Sequence, residues 1–393
     1  MSTPTPTPES VRVNDAGAGA PHDVCVITTI HPDFDKRVYR QIVALADAGL
    51  DVCVIAPWDF SRRNRDDFAF LATVPPRSRP ARLLHSLRTF QAARQIRARV
   101  YVFHDPDFLP FAPVLKALTG RPVVYDCHEN LPEDIRYGKE WIPVALRAPV
   151  SHAYRAFENF IVSRLKTTIV TVPHLEKRFT ALGADAVLVR NYPRFDVASD
   201  FVNDRAVLYT GSMSRDYGAA NLLAIAAEMK RRGLTVPLRV VDLFHGDEEF
   251  RRAFIERIGS AELNIEILAP VPSDRMPEVL AKGCIGLSPI MDLPNKALAL
   301  PTKIFEYFKF GLVVISSDVE GSRIATEDGS LGILLPHDDH QRWVDAIERL
   351  LTDTAYYEGL RTAAKAAAED RFNWTAEQKK LVSYIRDLAT RHG

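Results

Sequence analysis

LPTKIFEYFKFGLVVISSD, residues 300–318, is the stretch whose reading decides the fold. Pro301 suits the first turn of a helix, where a missing N–H costs nothing, and Gly311 suits the left-handed residue that ends one. Ile304, Phe305, Tyr307 and Phe308 cover most of the circumference between them, so the spacing predicts a largely buried helix. Residues 312–315 are too uniformly apolar for a half-exposed strand, and Ser316, Ser317 and Asp318 stop the run. The unit is a helix feeding a core parallel strand. Lys303 and Glu306, three apart, are expected to share the remaining stripe near the helix start. One reading is a surface ion pair, worth roughly 0.2–0.5 kcal/mol. The other is a ligand site, because free N–H groups at a helix start attract phosphate and a carboxylate accepts from sugar hydroxyls.

The same pattern repeats outward along the chain. DVCVITTI (23–30), DVCVIAP (51–57), VYVFHD (100–105), VVYDCHE (123–129) and TTIVTVP (167–173) read as strands, separated by helix-length segments such as 37–49. A second series follows: AVLYTGS (206–212), LRVVDLF (238–244), NIEILAP (264–270), CIGLSP (284–289), LVVISSD (312–318) and GILLP (332–336). Strands alternating with helices predict parallel α/β sheets, here two Rossmann-like sheets in tandem. RNYPRFDVASDFVND (190–204) is the expected linker, and segments 353–371 and 374–391 are expected to be helices. Two domains also suit 393 residues, too many for one ordinary core.

Composition narrows the function classes. A hydrophobic content of 47% with 25% charged residues indicates a soluble globular chain, and zero net charge gives no sign of a nucleic-acid partner. Cys25, Cys53, Cys127 and Cys284 sit singly in apolar runs without Cys-x-x-Cys spacing, which points to reduced thiols and a cytoplasmic location rather than to zinc or disulfides. Residues 1–22, rich in Pro, Thr, Ala and Gly without an apolar core, read as a disordered tail. No segment approaches 18 uninterrupted apolar residues, so no membrane span is expected.

Charge is uneven. PPRSRPARLLHSLRTFQAARQIRARV (75–100) holds seven arginines, and no Asp or Glu occurs from Phe68 to His104. A solvated helix face is one meaning of such a run. Peripheral contact with an anionic membrane, at the inner face of the cell membrane, is the other. Leu83, Leu84, Leu87 and Phe90 fit either an exposed or a core-facing stripe.

Two Rossmann-like halves suit a ligand held at the C-terminal ends of strands. A dinucleotide oxidoreductase needs Gly-x-Gly-x-x-Gly just after a strand, and none is present. Neither a Gly-x-Ser-x-Gly elbow nor a Walker A loop occurs, which sets hydrolases and P-loop NTPases aside. Asp105-Pro106-Asp107 follows an apolar strand and matches an Asp-x-Asp divalent-metal pair of the kind GT-A glycosyltransferases use. That reading fits poorly with a second Rossmann-like half, so both aspartates are taken as cleft-lining residues.

HPDFDKRVYRQIVALADAGLDVCVIAP (31–57), VFHDPDFLP (102–110), VVYDCHENLPE (123–133), VLVRNYP (187–193), LYTGSMSRDYG (208–218), LPTKIFEYFKFGLVVISSD (300–318) and RFNW (371–374) together resemble bacterial glycosyltransferases of family 4. The resemblance implies the α/β GT-B fold, with two Rossmann-like parallel-sheet domains facing a central cleft. The implied division is an acceptor domain at 23–196, a nucleotide-sugar donor domain at 197–370, and a helix at 371–393 that crosses back to the first. It implies a retaining, metal-independent transferase that needs no cofactor. The sugar would pass from a UDP- or GDP-linked donor to a glycan, lipid-linked or small-molecule acceptor, as in polysaccharide biosynthesis.

Carried over residue by residue, Glu306 resembles the second glutamate of the family's Glu-x₇-Glu motif, which holds ribose hydroxyls, while the first falls on Leu298. Thr302 and Lys303 would meet the diphosphate. The family's arginine and lysine after the first strand of the donor domain fall on Ser212 and Tyr217, beside Gly211, which leaves Arg215 and Lys303 as substitutes. His128 resembles the histidine that meets the donor sugar, and Glu129 would orient His128 or bind acceptor. Asp35 and Arg37 would line the acceptor side, although an Asp/Arg pair capping the next helix would look the same. The departures at Leu298, Ser212 and Tyr217 make a catalytically reduced binding partner or scaffold the alternative.

Overall fold

The computed structural model describes residues 20–31, 36–57, 68–73, 78–139, 141–194, 203–244, 247–271 and 275–391. The chain divides into two units. Unit 1 comprises Met1–Arg136, Ile142–Arg190 and Glu377–Gly393, and unit 2 comprises Tyr137–Trp141 and Asn191–Ala376.

The described residues of unit 1 form a seven-stranded sheet from β1 (His22–Ile27), β2 (Val52–Ala56), β3 (Ala69–Ala72), β4 (Ala98–Phe103), β5 (Val123–Cys127), β6 (Thr167–Val170) and β7 (Asp185–Leu188). Its spatial order is β3-β2-β1-β4-β5-β6-β7, with every pairing parallel. Val24 stands opposite Val52 on one side and Val100 on the other, which centres the V-C-V-I runs under helices on both faces. Five strands lie where the sequence places them. The two edge strands, AFLA and DAVL, lie outside the expected strands, because each is short and only partly covered and so lacks the continuous apolar run of a central strand.

Unit 2 repeats the scheme with β8 (Val207–Tyr209), β9 (Leu238–Val241), β10 (Ile265–Leu268), β11 (Ile285–Ser288), β12 (Val313–Ser317) and β13 (Gly332–Leu335), in the parallel order β10-β9-β8-β11-β12-β13. All six coincide with expected strands. The helix Thr302–Lys309 packs Ile304, Phe305, Tyr307 and Phe308 into the core with Tyr192, Leu312 and Phe372. Gly311, at φ +72°, turns the chain into β12 as expected. Gly286 faces the Tyr307 ring so closely that a Cβ there would overlap it. In each sheet the direction of strand progression reverses, between β1 and β4 and between β8 and β11, and such switch points open a crevice at the C-terminal strand ends.

The helix Trp374–Arg391 joins unit 1 from Glu377 onward. Its Glu377 carboxylate accepts the Arg190 amide at 2.8 Å, the Tyr384 hydroxyl donates to the Asp185 carbonyl at 2.9 Å, and Arg386 donates to the Ala48 carbonyl. No described helix is long and apolar enough to cross a membrane. On the helix Arg79–Ala93, Phe90 is buried, whereas Leu83, Leu84 and Leu87 are 62%, 52% and 38% exposed, which settles their direction away from the core.

Candidate functional site

In unit 2 the site grows from the turn that follows β8. Tyr209 ends that strand fully buried, and its hydroxyl donates to the Ser212 carbonyl at 2.8 Å, with the Tyr217 carbonyl 3.3 Å away. The Tyr307 hydroxyl, from the helix Thr302–Lys309, accepts the Thr210 amide at 2.9 Å. Two tyrosines from the core therefore hold both ends of the Gly211–Gly218 turn. Gly218, at φ +82°, starts the helix Ala219–Arg231, and a Cβ at this position would collide with the Pro289 carbonyl. Glycine is the residue that fits both demands.

Lys303 departs from expectation. It does not share an exposed stripe with Glu306: it is only 8% exposed, while Glu306 is half-buried and Thr302 is exposed. Its Nζ lies 3.3 Å from the Tyr209 hydroxyl, 4.3 Å from the centre of the Tyr209 ring and 5.6 Å from that of Tyr217. Helix Thr302–Lys309 is buried on so much of its circumference that position 303 faces the β8 turn, and Gly211 makes room for it, since a Cβ there would meet Nζ. Burial pushes the Lys303 amine down to about 7, against the opposing pull of Glu306. The balance is reasonable, because desolvating an ammonium costs several kcal/mol and a cation–π contact returns about 2 kcal/mol. Lys296, not singled out in the sequence, places its Nζ 5.0 Å from the Tyr217 ring, so that ring has two lysines against it. Arg215 is exposed in the turn, Ser212 is half-buried, and Leu298 caps the short helix Pro294–Ala297.

In unit 1 the C-terminal ends of β1, β4 and β5 bring three histidines together. The His31 and His128 rings are 5.1 Å apart, and His104 lies 6.3 and 6.2 Å from them. Asp126 is wholly buried beneath them. It accepts Arg37 Nη2 and Gln41 Nε2, each at 2.6 Å, and His104 Nδ1 lies 3.2 Å away. Burial alone would raise the Asp126 carboxyl, but Arg37 and His104 hold it well below the usual carboxylate range. Burial pushes His128 the other way, down to about 4, against the pull of Asp126. Its Nδ1 lies 3.3 Å from the Asp126 carbonyl. A carbonyl only accepts, so Nδ1 carries the proton and Nε2 of the neutral ring is an acceptor, suited to a hydroxyl. The Asp126 backbone thus orients His128, and the Glu129 side chain is exposed.

Two expectations change here. Arg37 is a buried strut on Asp126 rather than a lining residue, and Asp35 lies outside the described residues. Of the two aspartates taken as cleft-lining, Asp105 is wholly buried and Asp107 half-buried, and they serve different partners. Asp105 is buried and accepts the Thr28 hydroxyl (2.8 Å) and the Thr29 amide (2.6 Å) with His31 Nε2 at 3.3 Å, whereas Asp107 pairs with Arg82 Nε at 2.6 Å. The 3₁₀ turn Pro106–Phe108 sends the two side chains to different partners. Among the described residues His104, Asp126 and His128 bring ligand atoms within 4.8 Å of one another. Arg37 and Gln41 already fill the two oxygens of Asp126, and a guanidinium at 2.6 Å repels a cation, so the trio suits a proton-holding network better than a metal.

Comparison with known proteins agrees with the two-unit division. Residues 35–193 match the glycosyl transferase 4-like domain and residues 204–353 match glycosyl transferases group 1. Over 182 residues the chain is 25% identical to alpha-D-kanosaminyltransferase of Streptomyces kanamyceticus, covering 46% of this chain and 45% of that one. It is 26% identical over 195 residues to D-inositol 3-phosphate glycosyltransferase of Corynebacterium diphtheriae, covering 48% and 44%. The matches thus span about half the length of these curated relatives. The fold is similar to sucrose-phosphate synthase from Thermosynechococcus elongatus (TM-score 0.73, 17% identity, 94% of this chain and 99% of that one). It is also similar to Anabaena HepE, solved in complex with UDP and glucose (TM-score 0.69, 15% identity, 93% and 99%).

Proposed function

The chain belongs to the GT-B glycosyltransferases resembling family 4, and on that premise we propose that it moves a sugar from a UDP- or GDP-linked donor to a hydroxyl of a glycan, lipid-linked or small-molecule acceptor, with net retention of anomeric configuration. The observation that carries the proposal is the position of Lys303 against the Gly211 turn, one helical turn from Glu306, at the switch point between β8 and β11. Lys303 and Arg215, with amides of that turn, stabilise the charge that grows on a departing diphosphate, and Glu306 accepts ribose hydroxyls. A leaving phosphate oxygen takes the acceptor proton, so no side-chain base is needed and no metal is required. His128 Nε2 accepts from a sugar hydroxyl. The test is incubation with a panel of nucleotide sugars, with and without EDTA. Release of UDP or GDP that survives chelation supports the proposal, and NMR of the product's anomeric proton reads the stereochemistry.

Leu298, an apolar residue where the family motif has its first glutamate, favours a second reading, a binding protein with little turnover. Nucleotide-sugar binding with no release across the whole panel would favour it. Peripheral contact with an anionic membrane is supported by the exposed Leu83, Leu84 and Leu87 beside the exposed Arg88 and Arg94. Co-sedimentation with anionic but not neutral vesicles, lost on Leu83→Ser with Leu87→Ser, checks it.

A further inference from the structure

We propose that above neutrality the Lys303 amine stands mostly uncharged in the free protein and becomes an ammonium when a diphosphate binds, so that donor binding and proton uptake are one event. This rests on the reading of unit 2 as the nucleotide-binding half. An ammonium has three N–H groups to place, and among the described residues the partner that Lys303 Nζ finds is a single hydroxyl, Tyr209 Oη, at a long 3.3 Å. That hydroxyl already donates to the Ser212 carbonyl, so it offers the amine only a lone pair. Around it lie the faces of Tyr209 and Tyr217 and the backbone at Gly211.

The groups that bear on its charge come from each neighbouring element. Glu306, on the same helix, favours the ammonium, as do the Tyr209 and Tyr217 faces. Tyr307, on the same helix, is engaged with Thr210, and burial raises both Tyr209 and Tyr307, so neither supplies a negative charge near neutrality. Lys296 faces the Tyr217 ring, while Arg215 and Asp216 belong to the turn. Burial outweighs Glu306, and the amine titrates about 7, well below an ordinary lysine. A diphosphate reverses the balance. An opposite charge within about 4–6 Å raises such a group by roughly 1–3 on the pH scale, which takes the protonated fraction at pH 8 from about one tenth to between about one half and nearly all.

The experiment is calorimetric titration of the full chain with UDP, then GDP, at pH 8 in HEPES and in Tris, whose ionisation enthalpies differ. At that pH the nucleotide phosphates have already lost their titrating proton, so the slope of heat against buffer enthalpy counts protons taken up by the protein. The expected uptake is roughly 0.4–0.9 proton per nucleotide bound, falling to zero in Lys303→Arg, whose guanidinium is always charged. Binding with no proton uptake overturns this proposal and leaves the glycosyltransferase reading standing. Failure of both nucleotides to bind overturns the two together. The free state is read independently by ¹³Cε NMR of labelled lysine, with the resonance assigned by its absence in Lys303→Arg. Titration near neutrality supports the proposal. Titration at the ordinary lysine value of about 10.4 overturns it, whatever the nucleotides do.

Discussion

Replacing Lys303 by methionine should make the protein more stable at neutral pH while removing a group that donor binding needs. Burial takes the amine from 10.5 to about 7. Between those values the unfolded chain binds a proton that the folded chain does not, so stability rises with pH across the window and is lost as pH falls through it. At roughly 1.4 kcal/mol per unit, the full difference is on the order of 4–5 kcal/mol, nearly all of it present as a cost by pH 7. Methionine matches the straight stem of lysine and has no charge to desolvate, and it gives up one long hydrogen bond worth about 1 kcal/mol. The net expectation is a gain of about 2–4 kcal/mol at pH 6.5 that shrinks toward zero by pH 10. Urea unfolding of wild type and Lys303→Met, followed through Trp343 in the unit 2 core, measures this difference at a series of pH values. A variant less stable than wild type at pH 6.5, or a difference that does not narrow as pH rises, would refute the reasoning.

Glu306→Gln should weaken nucleotide-sugar binding by roughly 1.5–3 kcal/mol with the fold intact, measured by calorimetry, since it exchanges charge-assisted hydrogen bonds for neutral ones. Gly218→Ala should cost roughly 2–4 kcal/mol in unit 2 by thermal or urea unfolding, from a left-handed backbone and a collision with the Pro289 carbonyl. Asp126→Asn should destabilise unit 1 by about 3–5 kcal/mol, because it takes the carboxylate from the buried Arg37 guanidinium. Because Asp126 is held below the ordinary carboxylate range, its contribution is present above that range and is lost only as pH falls beneath it, so the gap between wild type and variant should stay constant from pH 6 to 8.

The central strands were legible because a strand covered on both faces carries a continuous apolar run, as in Val313, Val314 and Ile315 of β12 and VCVI within β1. AFLA and DAVL lie at sheet edges, where half of each strand meets solvent and the signal fades. The Thr302–Lys309 helix was legible, but the direction of Lys303 was not. A lysine beside a glutamate reads as a solvated pair until the tyrosine ending a strand 94 residues earlier is known to cover it. Asp126 shows the same limit. One acid inside an apolar strand implies a buried partner, yet nothing local says that this partner is Arg37, 89 residues away. His128 could be found through a motif, whereas the His31 and His104 rings beside it arrive from two other strand ends.

The closing of unit 1 by the Glu377–Gly393 segment sets an order on biosynthesis. A ribosome finishes the second sheet before it supplies the residues that complete the first. At about 5–20 residues per second, the interval between Arg190 and Glu377 lasts roughly 10–40 s. Throughout that interval the Arg190 amide lacks the Glu377 carboxylate, and the Asp185 carbonyl at the edge strand β7 lacks the Tyr384 hydroxyl. A nascent chain paused there leaves open the apolar surface of unit 1 against which Leu381 and Ile385 of that helix are fully buried once it docks. The earliest-made half of the molecule is therefore the last to be sealed.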